Sequence, residues 1–442
     1  MKRVVLWLLA FGQAGGLALS AELPPDPAGA PVPLTPAFIT ALADEAQTNH
    51  PGLRAAGARV NAAESEVASI RTWEDPMVML GGQFADAAMR ADEGDLIYGV
   101  QQKLPLFGLP GRERNLAREG LEVERAEETF RFQSLRRDLA QALFRVALAQ
   151  RTVEVGEEDL RWLEATVQTT EQRYRVGGLP QTQLLRVQNE RALREDQIRT
   201  DRLRVVQALA VVNRLLGRSL DERWPRLELP AVAGPVEYSP RLVELAVANE
   251  PGLRTMHRRV QQAEAAVELS RRRQYPEVAV GAEGRHYTGN GDFRQAMVTV
   301  SVSLPWLNDG KYRHDVRRES ARRQAAEFEV ADYELGVREE VRRLTVGLDA
   351  MRREALLYRD EIIPRSGLAL TSATSSWTTD RALFFDVMES RRLLIDAKLS
   401  YARAVAEQYQ MLSELVLCCG LGDLEALMMI GAEAEPASAI TR

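Results

Sequence analysis

Four histidines (His50, His257, His286, His314) and two cysteines (Cys418, Cys419) are the only imidazole and thiol groups in this chain of 442 residues. They form no recognisable site. The histidines are isolated from one another. The chain lacks HExxH, which would set two imidazoles on one helix face around zinc, and GxxxxGK[ST], which would wrap a phosphate in backbone N–H groups. No Ser/His/Asp or Cys/His arrangement offers a nucleophile with its base. No catalytic residue, cofactor or metal-ligand set is therefore expected. Cys418 and Cys419 are adjacent and read as inert thiols at a helix end, so no disulfide framework holds the fold together. A net charge of −6 leaves no basic footprint for nucleic acid. What remains open is the chemistry of fixed charges and of surfaces that meet partners.

The elements that would position such charges come in two copies. The segment NHPGLRAAGARVNAAESEV from Asn49 to Val67 returns as NEPGLRTMHRRVQQAEAAV from Asn249 to Val267. The same spacing of 200 residues relates Pro76 to Pro276, Leu104-Pro105 to Leu304-Pro305 and Val187 to Val387. Solenoid units run roughly 20 to 50 residues, so this is a duplicated half-molecule. Residues 36–224 make the first repeat, 225–239 a proline-punctuated linker and 240–420 the second repeat, with a tail over 421–442. At the front, Lys2 and Arg3 precede the apolar run Val4 to Phe11 and the small residues Ala18, Ser20 and Ala21. That is the pattern of an export signal over residues 1–21, followed by an extended leader over 22–35. No other run of about 20 apolar residues occurs, so no further helix is expected to cross a membrane.

Each repeat alternates helix with hairpin. A helical pattern from Pro36 to about Trp73 stops at Asp75-Pro76, and strands are expected over 77–84 and 96–104. In the second copy, Val298, Val300, Val302 and Leu304 alternate with Thr299, Ser301 and Ser303, a strand with one apolar and one polar face. Met77 and Met79, at alternate positions, would pack or face apolar surroundings more readily than hold a soft metal. From Arg112 to Arg175 no proline interrupts a helix of roughly 95 Å. Its heptads place Leu139, Val146, Val153, Leu160 and Val167 at a, and Ala142, Ala149, Gly156 and Leu163 at d, which lets antiparallel neighbours approach closely. After VGGLP (Val176 to Pro180), a second helix runs from Gln181 to Leu216; the second repeat offers Pro240 to Arg273, Lys311 to about Ser375, and Arg381 to Leu417. One long helix can thus lie beside two shorter ones in series. Pro105 and Pro305 mark the junctions at which a strand ends and a helix begins.

Four strands cannot close. A membrane-spanning sheet must leave no edge, and about eight strands is the smallest known barrel, so two or three chains are required. A soluble coiled-coil scaffold with two hairpins is the alternative without a pore. The NxPxL starts at Asn49 and Asn249, the hairpin exits KLPLFG at Lys103 and SLPWLNDG at Ser303, and YRVGGLPQTQLL at Tyr174 together resemble the TolC-type outer-membrane efflux proteins. The resemblance covers roughly Thr35 to Gly420. It implies a mainly α fold with a small β part. Long antiparallel coiled-coil helices would form an α-barrel, and four strands per chain would contribute to a 12-stranded trimeric transmembrane β-barrel.

It further implies a non-enzymatic exit duct in outer-membrane lipid, extending into the periplasm. Its partners would be two further copies, a periplasmic adaptor (membrane fusion protein) and an inner-membrane pump. QKLPLFG and the preceding EDPM look similar to the heavy-metal branch, with organic compounds as the other substrate class. Val176, Gly177, Gly178 and Leu179 resemble the tip motif that docks an adaptor, while Trp377 stands at the counterpart of Gly177. Asp386 matches an aperture acid of the family and lies opposite Arg186 across the repeat, whereas the neighbouring family acid is replaced by Leu383. A pair between Asp386 and Arg186 on adjacent helices would hold the tip shut. Asp386 is equally the acid that a helix start favours.

Overall fold

A computed structural model describes residues 31–83, 95–288, 291–379 and 381–422. The export signal, most of the leader, the turn of the first hairpin and nearly all of the tail lie outside the described residues.

The first repeat opens with a two-residue strand β1 (Val32–Pro33) and helices α1 (Pro36–Asn49) and α2 (Pro51–Ser69). The hairpin β2 (Met77–Gln83) and β3 (Asp95–Leu104) follows, then α3 (Leu109–Arg175) and α4 (Gln181–Leu216). In the linker, β4 (Leu227–Glu228) pairs in parallel with β1. The second repeat contains α5 (Pro240–Asn249), α6 (Pro251–Arg272), the hairpin β5 (Val278–Tyr287) and β6 (Phe293–Val302), α7 (Asp309–Leu357), α8 (Ile363–Thr378) and α9 (Phe384–Cys418).

Three helices expected to be continuous are interrupted, each at a proline. His50 (ψ 120°) and Glu250 (ψ 123°) leave the helical region because the following Pro51 and Pro251 crowd an αR residue, so one helix becomes two in each repeat. Between α7 and α8, Tyr358–Ile362 is a π-helical turn in which Ile363 N–H bonds back to the Tyr358 carbonyl. Pro364 cannot donate the next intrahelical bond, and the turn ahead of it widens. No such break interrupts the 67 residues of α3, which extend roughly 100 Å.

The hairpins join into one antiparallel sheet of order β2-β3-β5-β6. Its register sorts the side chains by chemistry. Val78 opposes Val100, Leu80 opposes Tyr98, and Val280 and Ala282 oppose Val300 and Val298, making one face apolar. The other face carries Gln101, Glu283, Arg285, Thr299 and Ser301, with Gln101 Nε2 donating to Ser301 Oγ at 3.3 Å. Met77 pairs with Gln101 and Met79 with Gly99, so both methionines share the polar face and do not join the apolar one. β2 and β6 are the open edges of the sheet.

The helices continue this wall. α3 packs between α2 and α6 near the sheet and between α4 and α9 at the far end, while α7 packs on α6 and α9, and α8 on α9. The main core sits midway, where Leu139, Leu143 and Phe144 of α3 meet Leu216, Leu344, Leu412 and Leu415. There the chain turns back sharply. Gly217 (φ 72°) and Gly420 (φ 60°) cap α4 and α9 directly against the Asn49 and Asn249 carbonyls, where a Cβ would collide. The two repeats therefore anchor their long helices by the same device.

Candidate functional site

The far end of the helical wall gathers Val176 to Leu179, Trp377, Asp386 and Arg186, whereas Pro105 and Pro305 lie at the sheet end, where β3 passes into α3 and β6 into α7. α3 ends in a tight turn: Gly177 N–H donates to the Tyr174 carbonyl at 3.0 Å and Gly178 N–H to the Arg173 carbonyl at 2.8 Å. Gly177 adopts φ 75°, a conformation that costs a side-chain-bearing residue, and nothing lies within 4 Å of where its Cβ would be. Val176 is 81% exposed, Gly177 and Gly178 are also exposed, and Leu179 is half-buried.

The second turn is built differently. Trp377, expected among the docking residues, is only 5% exposed. Its ring lies 5.3 Å from Phe384 and joins Leu163, Val167, Val187 and Val387 in a small apolar cluster. Arg173 stacks its guanidinium 5.0 Å from the Trp377 ring and donates Nη1–H to the Trp377 carbonyl at 3.1 Å. Trp377 therefore fastens the end of α8 to the ends of α3 and α9. A glycine at this position could not do so.

Asp386, in the first turn of α9, and Arg186, in the second turn of α4, are both exposed. Asp386 Oδ2 accepts the Leu383 N–H at 3.1 Å, which caps the helix. Among the described residues no ion pair joins Asp386 to Arg186 within one chain.

Farther up, sequence reasoning missed a charged cluster. Asp159 of α3 accepts two bonds from Arg391 of α9, at 2.6 Å from Nε and 2.7 Å from Nη2, and forms an ion pair with Arg194 of α4, whose Nε lies 2.6 Å away. Asp159 and Arg391 are buried, and Arg391 also lies 5.5 Å from the Trp162 ring. The two residues before Asp159 repeat the theme: Glu157 pairs with Arg202 of α4 at 2.7 Å and Glu158 with Lys398 of α9 at 2.6 Å. Three consecutive acids thus clasp both neighbouring helices.

At the turn between α5 and α6, Glu250 is buried. Its carboxylate accepts Leu253 N–H and the Tyr333 hydroxyl, and burial pushes its pKa above the ordinary carboxylate range despite those bonds. Its counterpart in the first repeat, His50, is pushed down by burial and by the nearby Arg214 charge. Cys418 and Cys419 are buried; burial raises Cys418 strongly and Cys419 to about 12, so neither is a reactive thiolate at neutral pH. Among the described residues no group of three or more His, Cys, Asp and Glu could hold a metal ion. No described helix is long and apolar enough to cross a membrane.

Known proteins share this architecture. A family model described as outer membrane efflux protein matches residues 42–218 and 242–416, one segment in each repeat. The cobalt-zinc-cadmium resistance protein CzcC of Cupriavidus metallidurans is 20% identical over 278 residues, covering 62% of this chain and 65% of that protein's length. Among solved structures, the outer-membrane channel OprN is similar with a TM-score of 0.76 at 19% identity, covering 87% of this chain and 90% of its own. CusC, described in connection with transmembrane channel formation, is similar with a TM-score of 0.76 at 15% identity, covering 88% of this chain and 93% of its own. The open state of the Neisseria gonorrhoeae MtrE outer membrane channel gives 0.71 at 15% identity, covering 87% of this chain and 89% of its own.

Proposed function

As this chain belongs to the outer membrane efflux protein family, we propose that three copies close into one duct that carries cargo from the periplasm across the outer membrane. It is a TolC-type channel protein, not an enzyme, and it resides in the outer membrane and extends into the periplasm. The observation that carries the proposal is the open four-stranded sheet, apolar on one face and polar on the other, with β2 and β6 unpaired at its edges. In a bilayer such edges cost several kcal/mol for each unpaired group unless another copy covers them. Three copies would supply twelve strands. Exposed Leu193 and Leu203 on α4, and Leu335 and Val346 on α7, lie on opposite flanks of the helical wall, where neighbouring copies would cover them.

The first turn, Val176 to Leu179, is the docking surface for a periplasmic adaptor that links the duct to an inner-membrane pump, because it is exposed and glycine keeps it free of bulk. Trp377 serves from inside, by holding the second turn in place. Asp386, repeated by threefold symmetry, would ring the aperture with negative charge, and Arg186 of a neighbouring copy is its partner in the closed state. The cargo we assign is heavy-metal cations; the similarity to a cobalt-zinc-cadmium resistance protein supports that assignment. Reconstitution into planar bilayers tests the duct: discrete conductance steps are expected, and Asp386→Ala should raise resting conductance or weaken block by divalent cations. A protein that inserts without conducting removes the duct. Unchanged cobalt, zinc and cadmium tolerance in a deletion strain removes the cargo.

A further inference from the structure

The opposite end of the wall, where strands give way to helices, holds an unusual residue. Phe107, in the 3-10 turn Leu106–Gly108, has φ 59° and ψ 10°, the one positive φ on a non-glycine among the described residues. A Cβ disfavours this region, so it persists only where surroundings impose it. Here the ring is stacked on Tyr275, with centroids 5.3 Å apart and planes 19° from parallel, and the Arg272 guanidinium lies 5.5 Å from the Tyr275 ring. The strained conformation does not serve burial. Phe107 and Tyr275 remain 45% and 47% exposed.

The charges beside this stack divide into used and unused. Lys103 is neutralised by Glu74 at 3.2 Å and Glu277 at 3.1 Å. Arg272 forms no ion pair with any carboxylate among the described residues, so its planar fork of N–H donors is available to an anion. Beside it lies a shallow cleft lined by Leu104, Phe107, Arg272, Tyr275 and Val278, whose lining also includes Lys103 with its two carboxylate partners. Leu104 and Val278 oppose each other in the register, and Val278 opposes Val302, so the cleft continues the apolar face of the sheet. It also follows the two central strands, β3 and β5, away from the edges at which copies would join.

From these observations we infer that Arg272, Tyr275 and Phe107 form a binding site for an anionic phospholipid of the periplasmic leaflet, with the phosphate on Arg272 and the acyl chains along Leu104 and Val278. The inference rests on the proposed reading that the sheet spans the membrane. Free phosphate offers the same anion, but only a lipid also covers the continuous apolar surface and the half-exposed rings. The strained turn then has a purpose: it presents Phe107 at the boundary between headgroups and chains, where aromatic rings are favoured.

Native mass spectrometry of the full chain in detergent, titrated with phosphatidylglycerol or phosphatidylcholine, tests this. Phosphatidylglycerol should be retained in preference, and Arg272→Ala should lower its retention about tenfold, the loss of one charge-assisted contact. Arg258→Ala, on the same helix near its other end, should change nothing. Phe107→Gly accepts the same φ and should fold normally while losing part of the retention. Equal retention of both lipids by wild type, or an unchanged Arg272→Ala, overturns the site. Complete displacement of phosphatidylglycerol by millimolar inorganic phosphate overturns the lipid assignment. Conductance of the same preparations separates the two levels. A conducting wild type without lipid preference defeats only this inference, whereas a non-conducting one defeats the membrane-spanning reading beneath it.

Discussion

Replacing Asp159 by asparagine should cost far more than its single charge suggests. The substitution keeps the side chain's size but removes the carboxylate that receives two hydrogen bonds from Arg391, of 2.6 and 2.7 Å, and pairs with Arg194 at 2.6 Å. Two guanidinium groups are then left facing one another, with side chains only 6% and 22% exposed. Glu190 stands 3.7 Å from Arg391 but is 43% exposed, so water screens most of the compensation it could give. Breaking a buried pair by removing one partner costs about 3–5 kcal/mol, whereas an exposed pair contributes about 0–1. Urea unfolding in detergent, followed by far-ultraviolet circular dichroism at fixed protein concentration, should show a lower midpoint at unchanged slope. A companion variant sharpens the reasoning: Asp159→Leu with Arg194→Met and Arg391→Met removes all three charges and should recover most of the loss. A single-variant loss below about 1 kcal/mol would show that the cluster is solvent-screened and does not hold α9 to α3.

Three further outcomes are expected. Trp377→Ala should destabilise the tip by about 3–5 kcal/mol and expose it; limited trypsin digestion should then cut faster at Arg175 and Arg381, and unchanged cleavage would show that Trp377 holds nothing together. Burial raises the folded pKa of Glu250 above its unfolded value near 4.5, so its contribution to stability is fully present below that value and is lost as pH rises through the folded pKa. Glu250→Gln should therefore flatten the decline of the unfolding midpoint from pH 4 upward, and identical slopes in the two proteins would contradict this. Finally, Cys418 and Cys419 should be alkylated by iodoacetamide at pH 8 at least about 100-fold more slowly in the folded protein than in urea, because few thiolates form and water is excluded; comparable rates would place the thiols at the surface.

Much of this fold was legible because period and punctuation are strong signals over long elements. α4 begins after VGGLP and spans Gln181 to Leu216 as expected, and the strand alternation from Val298 to Val302 survives as a real division of faces. The heptad reading of α3 was less durable. Leu139, Val146, Leu163 and Val167 are buried, but Val153 and Leu160 are only half-buried, while Val155 and Asp159 take the interior. A helix with 3.6 residues per turn drifts from a strict seven-residue repeat, and the inward stripe moves with it. The drift brings Asp159 inside, and no sequence signal announced it, because a charged residue among Glu157 and Glu158 reads as solvated surface. The tip shows a different limit. Repeat alignment set Trp377 opposite Gly177, yet only the Arg173 and Phe384 side chains decide that the tryptophan is covered. The helix breaks at His50 and Glu250 were readable from the following prolines. The π-helical turn was signalled only by Pro364.

Native mass spectrometry of the membrane-extracted protein counts the chains that close the sheet, the number on which the duct depends. Three chains per particle are expected, with β6 of each copy paired to β2 of the next. A single chain, or an assembly that dissociates to single chains in mild detergent, would leave the sheet open and contradict that expectation.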